Sequence, residues 1–169
     1  MAKEDSGIVM WNHLSDLVLA FLPVVATVVV GGMATRSSIS TWYAGLTKPS
    51  FNPPNAIFAP VWSILYALMA YAFYRVLTAE KWSGGAISIF LFQLVLNAAW
   101  SIVFFRLRWI LGALVVITGL LIGIAVCIIV FWQVDRPASV LLVPYFLWVC
   151  FASVLNLSLW KLNRPLQLR

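Results

Sequence analysis

The sequence predicts an all-α fold, a bundle of five transmembrane helices forming one membrane domain over residues 1–169. Three observations predict it. Hydrophobic residues make up 63% of the chain and charged residues 9%, with a mean hydropathy of +1.00, a composition suited to lipid rather than water as solvent. Charges are spaced so that five uncharged stretches, 17–35, 49–74, 82–105, 109–134 and 137–160, are each long enough to cross a hydrocarbon core of about 30 Å. The connections between the later stretches are short, which makes neighbouring helices antiparallel.

The first span is read as 17–35. Residues 1–16 carry Glu4, Asp5 and Asp16 instead of a basic leader, so the span is expected to be retained and not cleaved as a signal peptide. Residues 36–55 form the one long loop, with Pro49, Pro53 and Pro54, and a loop of that length in a compact domain suggests a lid. The Pro pair enforces extended backbone and starts the second span, 56–75, with Asn55 as its expected cap. Spans three to five are 84–105, 109–134 and 137–160. Pro23, Pro60 and Pro144 fall in or near spans and are read as shaping the helices. Gly119 and Gly123 permit close helix approach, within the bundle or across a dimer.

The net charge of +6 does not imply nucleic acid, because the basic residues sit singly or in pairs at span ends and form no stripe. They imply an orientation. One side holds Arg36, Lys48, Arg106, Arg108, Lys161, Arg164 and Arg169; the other holds Lys3, Arg75, Lys81 and Arg136 together with all five acidic residues. The positive-inside rule places the first side, with loop 36–55 and the C-terminus, in the cytoplasm. Cys127 and Cys150 lie at different depths in spans 4 and 5 and are read as small apolar residues, not as a disulfide.

No carboxylate falls inside a span, and the single histidine, His13, precedes the first. Proton-coupled transport and charge-relay catalysis are therefore disfavoured, and no ligand set for a metal is present. The interior instead offers indoles and amides. Trp11, Trp82, Trp109, Trp132 and Trp160 sit at span ends as interfacial anchors. Trp62, Trp100 and Trp148 lie deeper, on three different helices, in the half beneath the long loop. Helical spacing gives Trp62 the neighbours Phe58 and Tyr66, Trp100 the neighbours Gln93 and Asn97, and Trp148 the neighbours Tyr145, Ala152, Leu155 and Asn156. Taken alone, Gln93, Asn97 and Asn156 read as interhelical glue. With three convergent indoles under a Pro-rich loop they read as part of an apolar pocket for a flat, apolar molecule such as a tetrapyrrole or a sterol.

The motifs Trp42-Tyr43-Ala44-Gly45-Leu46-Thr47-Lys48-Pro49, Ser50-Phe51-Asn52-Pro53-Pro54, Pro60-Val61-Trp62 with Leu65-Tyr66, Gln93 to Trp100 with Phe104-Phe105, and Pro144-Tyr145 to Asn156 strongly resemble the TspO/MBR family of tryptophan-rich sensory and translocator proteins. The resemblance covers nearly the whole chain. It implies a membrane receptor or sensor, often a homodimer, that binds protoporphyrin and related porphyrins, and in many members cholesterol. It requires no cofactor. By matched position it implies a pocket lined by Phe58, Ala59, Val61, Trp62, Trp100, Trp148, Ala152, Leu155 and Asn156, and Trp42, Tyr66, Asn97 and Tyr145 complete the expected ligand-binding set. Members occur in bacterial envelopes, the favoured location here, and in the mitochondrial outer membrane. Some are proposed to degrade porphyrin under light, which would give Trp62 and Trp148 catalytic roles; transport of porphyrin or sterol is a further alternative. Leu157 stands where the sterol-recognition pattern of animal members needs Tyr, so sterol is the second choice of ligand.

Overall fold

The computed structural model describes the backbone over residues 2–80 and 84–167 and the side chains over 15–80 and 84–164. Trp11, His13, Trp82 and Arg169 lie outside the described side chains. Among the described residues, six α-helices build five spans. Helix α1, Ala2–Arg36, contains Pro23 and is continuous through it. Helix α2 is Asn55–Leu77. The extended Pro54 (φ −54°, ψ 141°) occupies the cap position, so Asn55 is the first helical residue and no side chain caps the helix, contrary to the expectation for Asn55.

Helix α3, Gly84–Ser101, ends in a single π-helical turn, Ile102–Arg106. Helix α4 is Ile110–Val134. The fifth span is broken into α5, Arg136–Leu141, and α6, Val143–Gln167. Pro144 accounts for the break at Leu142, since it has no N–H for the carbonyl four residues back and its ring crowds that carbonyl.

The helices close into a ring in the order α1, α2, α5 and α6 together, α4, α3, with α3 returning to α1. Lipid supplies little drive for apolar side chains to leave it, so this ring holds by close packing. At the end away from the long loop, Phe73 and Phe90 stack at 4.2 Å and Phe90 meets Phe131 at 5.8 Å. Around them Met69, Leu120 and Ile124 are fully buried. Asp135, between α4 and α5, receives Arg75 of α2 through Nε at 2.6 Å and Nη2 at 3.2 Å. Gly119 and Gly123 face α3, where a Cβ on Gly123 would lie 3.5 Å from that of Gln93. Their close approach is thus inside the bundle. Cys127 and Cys150 are both free.

Loop 1, residues 37–54, closes the other end. Tyr43 and Leu46 are buried in a cluster with Phe104, Ile110, Ala113, Leu155 and Leu159. The loop is tied down by Ser38 Oγ donating to the Phe105 carbonyl at 2.7 Å. Asn163 of α6 holds it a second time, accepting from Thr47 N and donating to Thr47 O, each at 3.0 Å.

Candidate ligand pocket

Beneath loop 1 lies a cavity of about 610 Å³, mostly apolar in lining. Helix α2 contributes Asn55, Phe58, Ala59, Trp62, Ser63 and Tyr66; α6 contributes Trp148, Ala152, Leu155, Asn156 and Leu159. Trp100, Ser101, Phe104 and Phe105 line it from α3 and the π turn, and Ile39 and Tyr43 from loop 1. Helix α1 supplies Val28, Gly31, Gly32 and Thr35. The π turn adds a residue to the helical repeat, and Phe104 and Phe105 both face this cavity with ring centroids 4.8 Å apart. At Gly31 a Cβ would meet Ser101 Oγ at 3.4 Å, so a small residue lets α1 approach α3 there.

The three deep indoles are held differently. Trp62 lies against Tyr66 at 5.2 Å and edge-on to Tyr145 at 6.2 Å. Trp100 stacks on Phe104 at 5.4 Å and donates from Nε1 to Asn156 Oδ1 at 3.1 Å. Trp148 packs against Phe58 and Phe151, and its Nε1 is buried without a hydrogen-bond partner among the described residues. A buried donor left unpaired costs about 1–3 kcal/mol, which an acceptor on a bound molecule would offset.

Of the residues read from sequence, Phe58, Ala59, Trp62, Tyr66, Trp100, Trp148, Ala152, Leu155 and Asn156 meet around this one cavity. Trp42, Val61, Asn97 and Tyr145 do not line it. Asn97 and Tyr145 stand one layer behind, in a buried chain that runs from Tyr66 OH to Asn97 Oδ1 at 2.9 Å, from Asn97 Nδ2 to Tyr145 OH at 2.8 Å, and from Tyr145 OH to Gln93 Oε1 at 3.1 Å. These amides bind helices to one another, as polar groups in lipid must find partners. They fix the phenol of Tyr66 at the cavity wall. Val61 packs on the main core, and Trp42 turns to the opposite side of loop 1, edge-on to Phe104 at 5.5 Å.

Tyr43 lies over the cavity and links the two arms of loop 1 by donating to Asn52 Oδ1 at 3.0 Å. Burial raises its pKa above the ordinary phenol value, and the bond to Asn52 partly offsets this. Charged side chains are absent from the described lining, so the cavity favours a neutral, polarisable body.

Residues 19–161 match the sequence profile of the TspO/MBR family. The chain belongs to the TspO/MBR family. Among its relatives, the tryptophan-rich protein TspO of Archaeoglobus fulgidus is 40% identical over 152 residues, covering 89% of this chain and 99% of that protein. The translocator protein of Bos taurus is 38% identical over 145 residues, covering 80% and 82%. The tryptophan-rich sensory protein of Cereibacter sphaeroides is 37% identical over 136 residues, covering 79% and 85%. With five helices among the described residues long and apolar enough to span a bilayer, this TspO/MBR chain is an integral multi-pass membrane protein. The family match includes every element that lines the cavity.

Proposed function

We propose that the chain is a membrane receptor or sensor for porphyrins, protoporphyrin IX first among them, acting in tetrapyrrole or stress regulation. The observation that carries this reading is one cavity walled by three indoles, Trp62, Trp100 and Trp148, from three helices. Its volume falls within the roughly 300–1,000 Å³ of ordinary small-molecule sites. Flat aromatic ligands gain from stacking on such rings, and the uncharged lining suits the tetrapyrrole ring but not its two propionates, which would extend out of the cavity towards the basic end. A sterol is the second choice, weakened by Leu157. In this reading loop 1 and the basic end face the cytoplasm, in a bacterial envelope membrane, and the protein works as a homodimer.

Transport is less well supported. The end opposite loop 1 is filled by Phe73, Phe90 and Phe131 and tied by Arg75 to Asp135, packing that would have to part for alternating access to expose the cavity on that side. Light-driven porphyrin degradation would use Trp62 and Trp148 as electron donors to the excited macrocycle.

Titration of protoporphyrin IX into the detergent-solubilised chain, followed by Trp fluorescence, tests the proposal. Micromolar quenching that is lost in Trp62→Ala and in Trp148→Ala is expected; unchanged affinity in both variants removes the pocket assignment. Illumination in air separates binding from degradation, because only an enzyme yields a defined product over several turnovers.

A further inference from the structure

A second cavity, of about 1070 Å³, opens at the basic end of the bundle and shares no lining residue with the first. It lies between loop 1, the connection 107–109 and the last turns of α6. Trp42, Trp109 and Trp160 wall it, and its charged members are Arg108 and Arg164. Arg164 lies over the Trp160 ring with its guanidinium carbon 4.0 Å from the centroid.

The lining combines three properties that a single occupant must match. It is predominantly apolar and aromatic. It carries positive charge, and the described acidic residues, Asp16, Glu80 and Asp135, all belong to the other end of the bundle. It also opens where the spans end, with Leu107 61% and Trp109 57% exposed, at the depth where indoles favour the bilayer interface. A soluble anion answers only the charge, and a neutral lipid only the apolar surface. Arg108 adds a backbone argument. Its φ of 57° lies in the left-handed region that Gly or Asn adopts at lower cost, so the chain accepts strain at the residue that brings a guanidinium to this groove.

We propose that this groove holds the headgroup of an anionic phospholipid, with its phosphate between Arg108 and Arg164 and its acyl chains leaving across Leu107 and Leu111. The bound lipid thereby bridges loop 1, the α3–α4 connection and α6.

The test uses the full chain in mixed micelles with phosphatidylglycerol or phosphatidylcholine of identical acyl chains, read by native mass spectrometry and by thermal unfolding. One phosphatidylglycerol retained per chain, with a raised Tm that phosphatidylcholine does not give, is the expected result. Arg108→Asn with Arg164→Gln should weaken that retention about thirtyfold. Asn tolerates the left-handed backbone, so Arg108→Asn removes the charge without adding backbone strain. Arg36→Gln removes an equal charge from the same end, outside the groove, and should leave retention unchanged. Equal retention of phosphatidylcholine, the same stabilisation by inorganic phosphate alone, an undiminished response in the double variant, or an equal loss in Arg36→Gln would each overturn the proposal.

Discussion

The amide of Asn156 is shared between two helices, accepting from Trp100 Nε1 at 3.1 Å and donating to the carbonyl of Ile110 at 3.0 Å. A single residue of α6 thus sets the rotamer of a cavity indole on α3 and anchors the first residue of α4. Replacing it by Leu keeps the branching at Cγ, adds some bulk and removes both bonds. Asn156→Leu should lower stability by about 2 kcal/mol, since an indole N–H is left unpaired in the bundle and the Ile110 carbonyl keeps only its helical bond. It should also weaken protoporphyrin binding, because Trp100 is no longer fixed. Thermal unfolding in detergent measures the first effect and fluorescence titration the second.

Ala152 lines the cavity on α6, one turn beyond Trp148. A larger side chain there occupies ligand space without opening a void. Ala152→Phe should therefore leave the Tm within a few degrees of the parent while protoporphyrin quenching disappears. Retained quenching would place the ligand elsewhere.

Tyr145 is fully buried and is the hub of the chain from Tyr66 to Gln93. Tyr145→Phe removes the acceptor for Asn97 and the donor to Gln93, whose Nε2 is already without a partner among the described residues. A loss of about 1–3 kcal/mol is expected. Ligand affinity should change by less than it does in Trp62→Ala, because Tyr145 stands behind the wall; equilibrium unfolding and titration of the same variant separate the two effects.

At Gly112 a Cβ would lie 2.4 Å from the Trp109 ring. Gly112→Ala must therefore displace that ring from the start of α4. The expected signature is a shift in the Trp109 contribution to the emission spectrum, isolated by comparison with Trp109→Phe, and a Tm lowered by a few degrees. An unchanged spectrum would mean that the helix end moves instead.

The phenol of Tyr43 gives loop 1 a pH dependence. Its pKa in the fold is raised by burial, so its contribution is complete below the ordinary phenol pKa near 10 and is lost as the pH rises through the higher folded value. Stability should fall in strongly alkaline solution, and Tyr43→Phe should flatten that fall. Unfolding measured across pH 8 to about 11.5 checks the sign.

Much of this was legible in the sequence, because charge spacing fixes where spans end regardless of how they pack. The depth of Trp62, Trp100 and Trp148 likewise follows from counting along each helix. Which face of α1 turns inward was not legible. That helix is apolar all round, so Val28, Gly31, Gly32 and Thr35 carry no periodic signal, although the Gly pair marks a point of close approach. The amides posed a different difficulty. A polar group in lipid needs a partner, but spacing does not say whether the partner is a neighbouring helix, as for Asn97, or the cavity indole Trp100, as for Asn156. Trp42 was misplaced for a further reason: within loop 1 the helical periodicity that sorts faces no longer applies, and its side chain emerges on the second groove.

The π-helical turn Ile102–Arg106 bears on how the chain tolerates changes of length. Five residues in that turn cover about the same rotation as four in an α turn, so a one-residue deletion there restores α-helical winding while the flanking segments keep nearly their present orientation. The span would then still cross the bilayer, but the turn in which Phe104 and Phe105 face the cavity side by side would be lost. The extra residue thus serves the cavity wall, whereas the same deletion in a regular stretch of α3 would turn everything after it by about 100°.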